Sequence, residues 1–259
     1  MANDIPARPA ATVLLLRDGA AGLEVFMVVR HREIDFASGA LVFPGGRVEP
    51  GDRAIAEGLN AAEADAGAFR VAAIRETFEE CGVLLARPRG GTALIDAARL
   101  AGLEPARTAL CNSQRSFAEI LGAEALVPAT DLLAHFAHWI TPADRAKRFD
   151  THFFLAPAPE DQLALHDGSE AVDSVWIRPK DALAGGAAGE RKIVFPTRLN
   201  LEKLARQDSV AAAFAAARAT PVVTVQPEML QTPDGPAMRI PLAADYGGEI
   251  FPAVDPPSI

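Results

Sequence analysis

Cysteine is scarce in this 259-residue chain: Cys81 and Cys111 are its only two, so no disulfide framework organises the fold, and Cys81 reads as a small core residue. Positive charge is in deficit as well. Acids outnumber lysine and arginine by 34 to 25, and the formal net charge of -9 removes the broad basic footprint that nucleic-acid binding needs. An anionic substrate therefore requires a local basic pocket or a metal ion. Long apolar runs are missing too. The opening MANDIPARPAATVLLL has an early acid and only a short strand-like run, so neither a signal peptide nor a membrane span is expected, and a soluble cytoplasmic protein is. There is no G-x-S-x-G elbow, Walker loop or G-x-G-x-x-G. No repeat, charge block or low-complexity linker divides the chain, so residues 1–259 read as one elaborated α/β domain.

What the chain does have is 49% hydrophobic residues, enough for a sizeable core. Residues 11–18 and 22–31 read as strands joined by a short turn, and 40–52 as a brief apolar strand entering the Gly- and Pro-rich loop FPGG. The alanine-rich segment 54–69 suits a helix. A second helix is predicted over 69–82, with Gly82 as its stop signal. Its sequence RETFEECG gathers three carboxylates. On a helical wheel Val71, Ile74, Phe78 and Cys81 form an apolar stripe, and Glu76, Glu79 and Glu80 fall together on nearly the opposite side. Like charges at that spacing destabilise a helix, and no lysine at helical spacing relieves them. The pattern fits either a solvated acidic face or a grip on a hard divalent cation, with the glycines of the FPGG loop letting backbone approach closely.

Further on, residues 88–135 read as a helical insertion or cap. Strands are predicted at 148–156 and 171–179, a helix at 197–218, and a hairpin around the turn PDG that ends near 242. His135 and His138 have H-x-x-H spacing, but no third ligand stands beside them in the sequence, so zinc is set aside.

The stretch FPGGRVEPGD followed by RETFEECGV resembles the Nudix box, G-x5-E-x7-R-E-U-x-E-E-x-G-U with U aliphatic. Arg75 and Glu76 take the R-E places, Glu79 and Glu80 the E-E places, and Gly82 with Val83 the G-U places. Phe78 stands at the U between them. Counting from Gly46, Asp52 occupies the first glutamate position. From there 22 residues intervene before Arg75 where the pattern has seven, so the box is split by about 15 residues. A branch of the family, that of the peroxisomal coenzyme A diphosphatases, carries such an insertion. The segments FASGALVFPGG, HWITPADRAKRFDTHFFLA, VWIRPKDAL and FPTRLNLEKLA are similar to that branch in the same order.

The resemblance implies an α/β/α sandwich around a mixed sheet, with the box helix beside bound Mg2+ or Mn2+. Glu76, Glu79 and Glu80 would hold the ions, helped by backbone at Gly46, with Gly45, Gly82 and Arg75 in support and Arg75 bracing a glutamate. The general base would be a box glutamate or Glu170, with Asp167 a weaker candidate. Arg30, Arg32 and Arg148 are candidates to meet phosphate and Phe36 to stack on a base. The expected substrate is a small nucleotide, coenzyme A or acyl-CoA cleaved to 3′,5′-ADP and a 4′-phosphopantetheine. ADP-ribose, a dinucleotide or a nucleotide sugar is the alternative, and a silent nucleotide-binding regulatory module is the alternative of another class. No nucleic acid or membrane partner is expected; a homodimer is allowed for.

Overall fold

A computed structural model describes residues 5–30, 39–162, 164 and 171–253. The chain opens on a hairpin, β1 (Arg8–Gly19) and β2 (Gly22–Arg30), closed by two alanines between Gly19 and Gly22. Two short strands follow, β3 (Leu41–Val42) and β4 (Gly45–Arg47). Next come helices α1 (Pro50–Leu59) and α2 (Ala64–Cys81), which divide the predicted 54–69 helix at Asn60. The predicted helix 69–82 thus starts a turn and a half earlier than expected.

The inserted region is bracketed by a two-stranded ribbon, β5 (Ala86–Pro88) and β6 (Leu126–Pro128), and carries α3 (Ala97–Ala101), α4 (Glu104–Cys111) and α5 (Phe117–Ala123). It ends sooner than residue 135, because β7 (Ala134–Ile140) is a strand of the main sheet. Then come β8 (Phe149–Pro157), β9 (Ala171–Ile177), α6 (Pro179–Ala187), α7 (Phe195–Leu204) and α8 (Val210–Ala219). The predicted helix 197–218 is two helices. Ser209 breaks it by capping α8, its hydroxyl accepting from the Ala212 N–H at 3.2 Å. In the tail β10 (Thr224–Val225) joins β7, while β11 (Glu228–Thr232) and β12 (Gly235–Arg239) form the predicted hairpin, extended by β13 (Ile250–Pro252).

The main sheet is mixed and runs β10-β7-β8-β1-β2-β3, with β4 paired to β1 and β9 to β2. β1 is its axis and is buried on both faces, as expected for a central strand of near-continuous apolar residues. Ala11, Val13 and Leu15 join α2 and the insertion in one core, while Leu14 and Leu16 join α7 and α8 in the other. The result is the α/β/α sandwich. One edge of β1 is shared: residues 10–12 pair with β4 and residues 16–19 with β2. The fork between them, where the Val13 N–H donates to the Pro44 carbonyl at 2.9 Å, brings the Gly-Gly bend under α2.

Candidate metal and diphosphate site

Glycine is required at Gly45, whose φ of +154° places it where side chains are strained; an added Cβ would lie 2.3 Å from the Ala11 carbonyl oxygen. The freed space is used by α2. The Gly45 N–H donates to Glu80 Oε2 at 2.9 Å, and the Glu76 carboxylate sits so close over Gly46 that a Cβ there would be 2.4 Å from its Oε1. The helix wheel is borne out on its apolar side, where Val71, Ile74, Phe78 and Cys81 are all at most 1% exposed. The acidic side is no solvated face, however. Glu80 is buried, and Glu76 and Glu79 are largely covered.

Arg75 explains how so many acids pack together. Its NH1 donates to Glu76 Oε1 and to Glu79 Oε1, both at 2.9 Å. Its Nε and NH2 grip Asp52 Oδ1 and Oδ2 at 2.9 and 3.0 Å, and NH2 also reaches the Arg47 carbonyl at 2.7 Å. Arg75 and Asp52 are both buried, and a bidentate fork is the geometry that keeps such a pair satisfied. Burial alone would lower the guanidinium pKa, but the hydrogen bond and charge of Asp52 and the charge of Glu76 raise it, so it stays a cation. Burial pushes the Glu79 carboxyl above the usual carboxylate range, against the opposing pull of Arg75. Asp52, at the first glutamate position of the box, has a structural task besides: its Oδ2 accepts the Glu49 N–H at 2.8 Å and completes a capping box on α1.

The C-terminal end of α2 is closed twice. Gly82 adopts the left-handed conformation, φ 66°, and returns its N–H to the Phe78 carbonyl at 3.0 Å, as its position in the sequence predicts. Arg107 of α4 then covers the exposed carbonyls, its Nε donating to Phe78 O at 2.8 Å and its NH2 to Glu79 O at 2.9 Å. Nothing in the sequence marked Arg107. The contact exists only because the insertion folds back on the helix.

Taken as ligands, Glu76, Glu79, Glu80 and the Gly46 backbone offer oxygen alone, the donor set of a hard divalent cation. Arg148 is engaged by backbone: its Nε and NH1 donate to the carbonyls of Thr141 at 3.2 Å and Ile5 at 2.6 Å, tying the β7–β8 connection to the segment before β1. Arg30 is described by its backbone at the end of β2. Arg32, Phe36, Asp167 and Glu170 lie outside the described residues.

The fold brings beside His138 two side chains of metal-binding type that do not stand beside it in the sequence. Asp150 and His152 of β8 stand opposite His138, with His138 Nε2 2.5 Å from Asp150 Oδ1 and His152 Nε2 3.9 Å from it. His152 Nδ1 meets His135 Nε2 at 3.0 Å. Burial lowers both His135 and His152 to about 4, with smaller contributions from the neighbouring His138 and Arg70, so both are neutral imidazoles at pH 7.

The NUDT19 Nudix domain family matches residues 55–204. The crystal structure of a Nudix hydrolase from Alicyclobacillus acidocaldarius superposes with a TM-score of 0.70 at 30% identity, covering 81% of this chain and 96% of that one. The acyl-coenzyme A diphosphatases NUDT19 of Homo sapiens and Gallus gallus are 34% and 31% identical over 44% and 45% of this chain. The chain spans 33% and 35% of the length of those two relatives. Among the described residues no helix is long and apolar enough to cross a membrane.

Proposed function

Because the chain belongs to the Nudix hydrolases, with a domain of the NUDT19 type, we propose that it is a metal-dependent pyrophosphohydrolase acting on coenzyme A or acyl-CoA. Water adds across the diphosphate, and the products are 3′,5′-ADP and the (acyl) 4′-phosphopantetheine. The observation that carries this reading is the packing of Glu76 and Glu80 against the Gly45–Gly46 bend, with Glu79 joined to Glu76 through the buried Arg75. The coenzyme A assignment is supported by the names of the NUDT19 relatives and by the collinear segments outside the box.

In this reading Glu76, Glu79 and Glu80 hold Mg2+ or Mn2+. Such ions neutralise the diphosphate and acidify a bound water when present. Arg75 touches no substrate; it fixes the Glu76 and Glu79 carboxylates and so sets the spacing of the donors. The close approach of α2 to the bend is set by glycine alone: Gly45 and Gly46 let the carboxylates descend to the sheet without a side chain between. Two groups are candidates to take the proton of the attacking water. Glu79 is the one on the helix, its carboxyl raised by burial, and Glu170, outside the described residues, is the one that the resemblance to the family suggests.

The test is mass spectrometry of the products from a panel of coenzyme A, acyl-CoAs, ADP-ribose, NADH and diadenosine polyphosphates, with Mg2+ or Mn2+ and with excess EDTA. The reading expects 3′,5′-ADP from the CoA compounds in the presence of metal and none with EDTA. Preferential cleavage of ADP-ribose or a dinucleotide would reassign the substrate, and no turnover of any member would leave a binding module.

A further inference from the structure

β7 contains a bulge that the strand alternation alone would not produce. The register with β8 passes from His135 opposite Phe154 to Ala137 opposite Phe153, so Phe136 and Ala137 both enter the core beneath α7 and α8. Residues three apart in a regular strand point to opposite faces. The extra residue restores His135 and His138 to one face, that of α2, where the Phe69 ring packs against His152 with centroids 4.0 Å apart and the planes tilted by 35°. Three of the chain's five histidines therefore gather beside Asp150 on two adjacent strands.

We propose that His138, Asp150 and His152 form a binding site for a borderline divalent transition-metal ion such as Zn2+, separate from the glutamate cluster of α2. Three features carry it. The ligand atoms of the three residues all lie within 4.8 Å of one another, so the short His138–Asp150 contact opens by a small side-chain movement to admit an ion with bonds of about 2.0–2.2 Å. Each imidazole is oriented through its other nitrogen, His138 Nδ1 by Thr224 Oγ1 at 2.8 Å and His152 Nδ1 by His135 Nε2 at 3.0 Å, which is the outer support that metal-binding histidines need. The donor set is also chemically unlike the other: two imidazoles and one carboxylate favour Zn2+ over Mg2+, whereas the box glutamates offer oxygen alone.

The place in the sheet gives the site a neighbour. Gly46, Ala11, His152 and His138 stand in one row across β4, β1, β8 and β7. At the usual strand spacing His152 is two strands, roughly 10 Å, from the bend that underlies Glu76. Three protein ligands leave a coordination position for water or an oxyanion.

The experiment is calorimetric titration of the metal-free protein with Zn2+, paired with visible absorption of the Co2+ form, in a Glu76→Gln/Glu79→Gln/Glu80→Gln background that disables the oxygen site. One equivalent of Zn2+ is expected to bind there. His138→Asn and His152→Gln should each weaken it by about 100-fold or more, and His135→Gln, which removes only an outer partner, by about 10-fold. Asp150→Asn keeps the shape of the side chain and decides the matter if a histidine variant fails to fold. The proposal is overturned if that background binds no Zn2+, or if Zn2+ binds with unchanged affinity in the folded Asp150 and histidine variants.

Discussion

Replacing Arg75 by methionine keeps much of the buried side-chain volume and removes the charge, and its cost can be worked from the contacts. Asp52 is 1% exposed and would retain only the Glu49 N–H. Breaking one partner of a buried ion pair costs about 3–5 kcal/mol, because the remaining carboxylate is left without compensation. Glu76 and Glu79, with side chains 12% and 22% exposed, are reached by water more easily, so they add at most about 1 kcal/mol. A loss of about 3–5 kcal/mol corresponds to a fall in Tm on the order of 10 °C for a chain of this size.

Urea denaturation followed by circular dichroism measures the loss. The double variant Arg75→Met/Asp52→Asn removes both charges of the pair, so it should be less destabilised than the sum of its singles by about 2–3 kcal/mol. A single-variant loss below about 1 kcal/mol, or strict additivity in the cycle, would show that Arg75 does not hold this corner of the molecule together.

Glu79→Gln should fold normally and lose at least about a hundredfold in kcat on the substrate that the product panel identifies; near-normal turnover would remove Glu79 from the chemistry. Gly46→Ala puts a methyl group 2.4 Å from Glu76 Oε1 and forces that carboxylate aside. Its stability should change by less than about 1 kcal/mol because the displaced group is a side-chain end, while kcat falls at least about tenfold, as measured by denaturation and steady-state kinetics side by side. Arg107→Ala uncovers the carbonyls at the end of α2 and should cost about 1–2 kcal/mol in the same denaturation assay.

Much of this arrangement was legible in the chain. The apolar stripe of α2, its glycine stop and the glycine bend are local patterns, and each is found where local rules place it. What the chain concealed was of two kinds. β7 was hidden because its bulge spoils the alternation by which a half-buried strand is read, so the start of AHFAHWI was absorbed into the helical insertion. Arg107 on Glu79, and Asp150 and His152 beside His138, are contacts between separate elements, and no periodicity carries them. The acidic side of α2 belongs with this second kind. Its charges look solvent-facing on a wheel, and only the fork in β1 and the arginine from within the same helix show how they are enclosed.

The split in the box is understandable from the same contacts. Asp52 and Arg75 are 23 positions apart, yet the guanidinium holds both carboxylate oxygens. Lengthening the segment between two fixed points from seven to 22 residues costs only about 1 kcal/mol of additional closure entropy, since the dependence is logarithmic. The extra residues offset that cost by folding. They supply most of α1 and the start of α2, and the two helices approach closely enough that a Cβ on Gly67 would lie 3.0 Å from the Ala56 side chain, with Ala56 and Ala68 buried in the core. Because Asp52 sits in the first turn of α1, right after β4, the insertion grows downstream of it and leaves its position relative to the Gly45–Gly46 bend unchanged. A substitution that separates α1 from α2, such as Gly67→Leu, should therefore impair the carboxylate cluster through Asp52 and Arg75, read as weaker Mn2+ binding in calorimetry, even though it touches none of the glutamates.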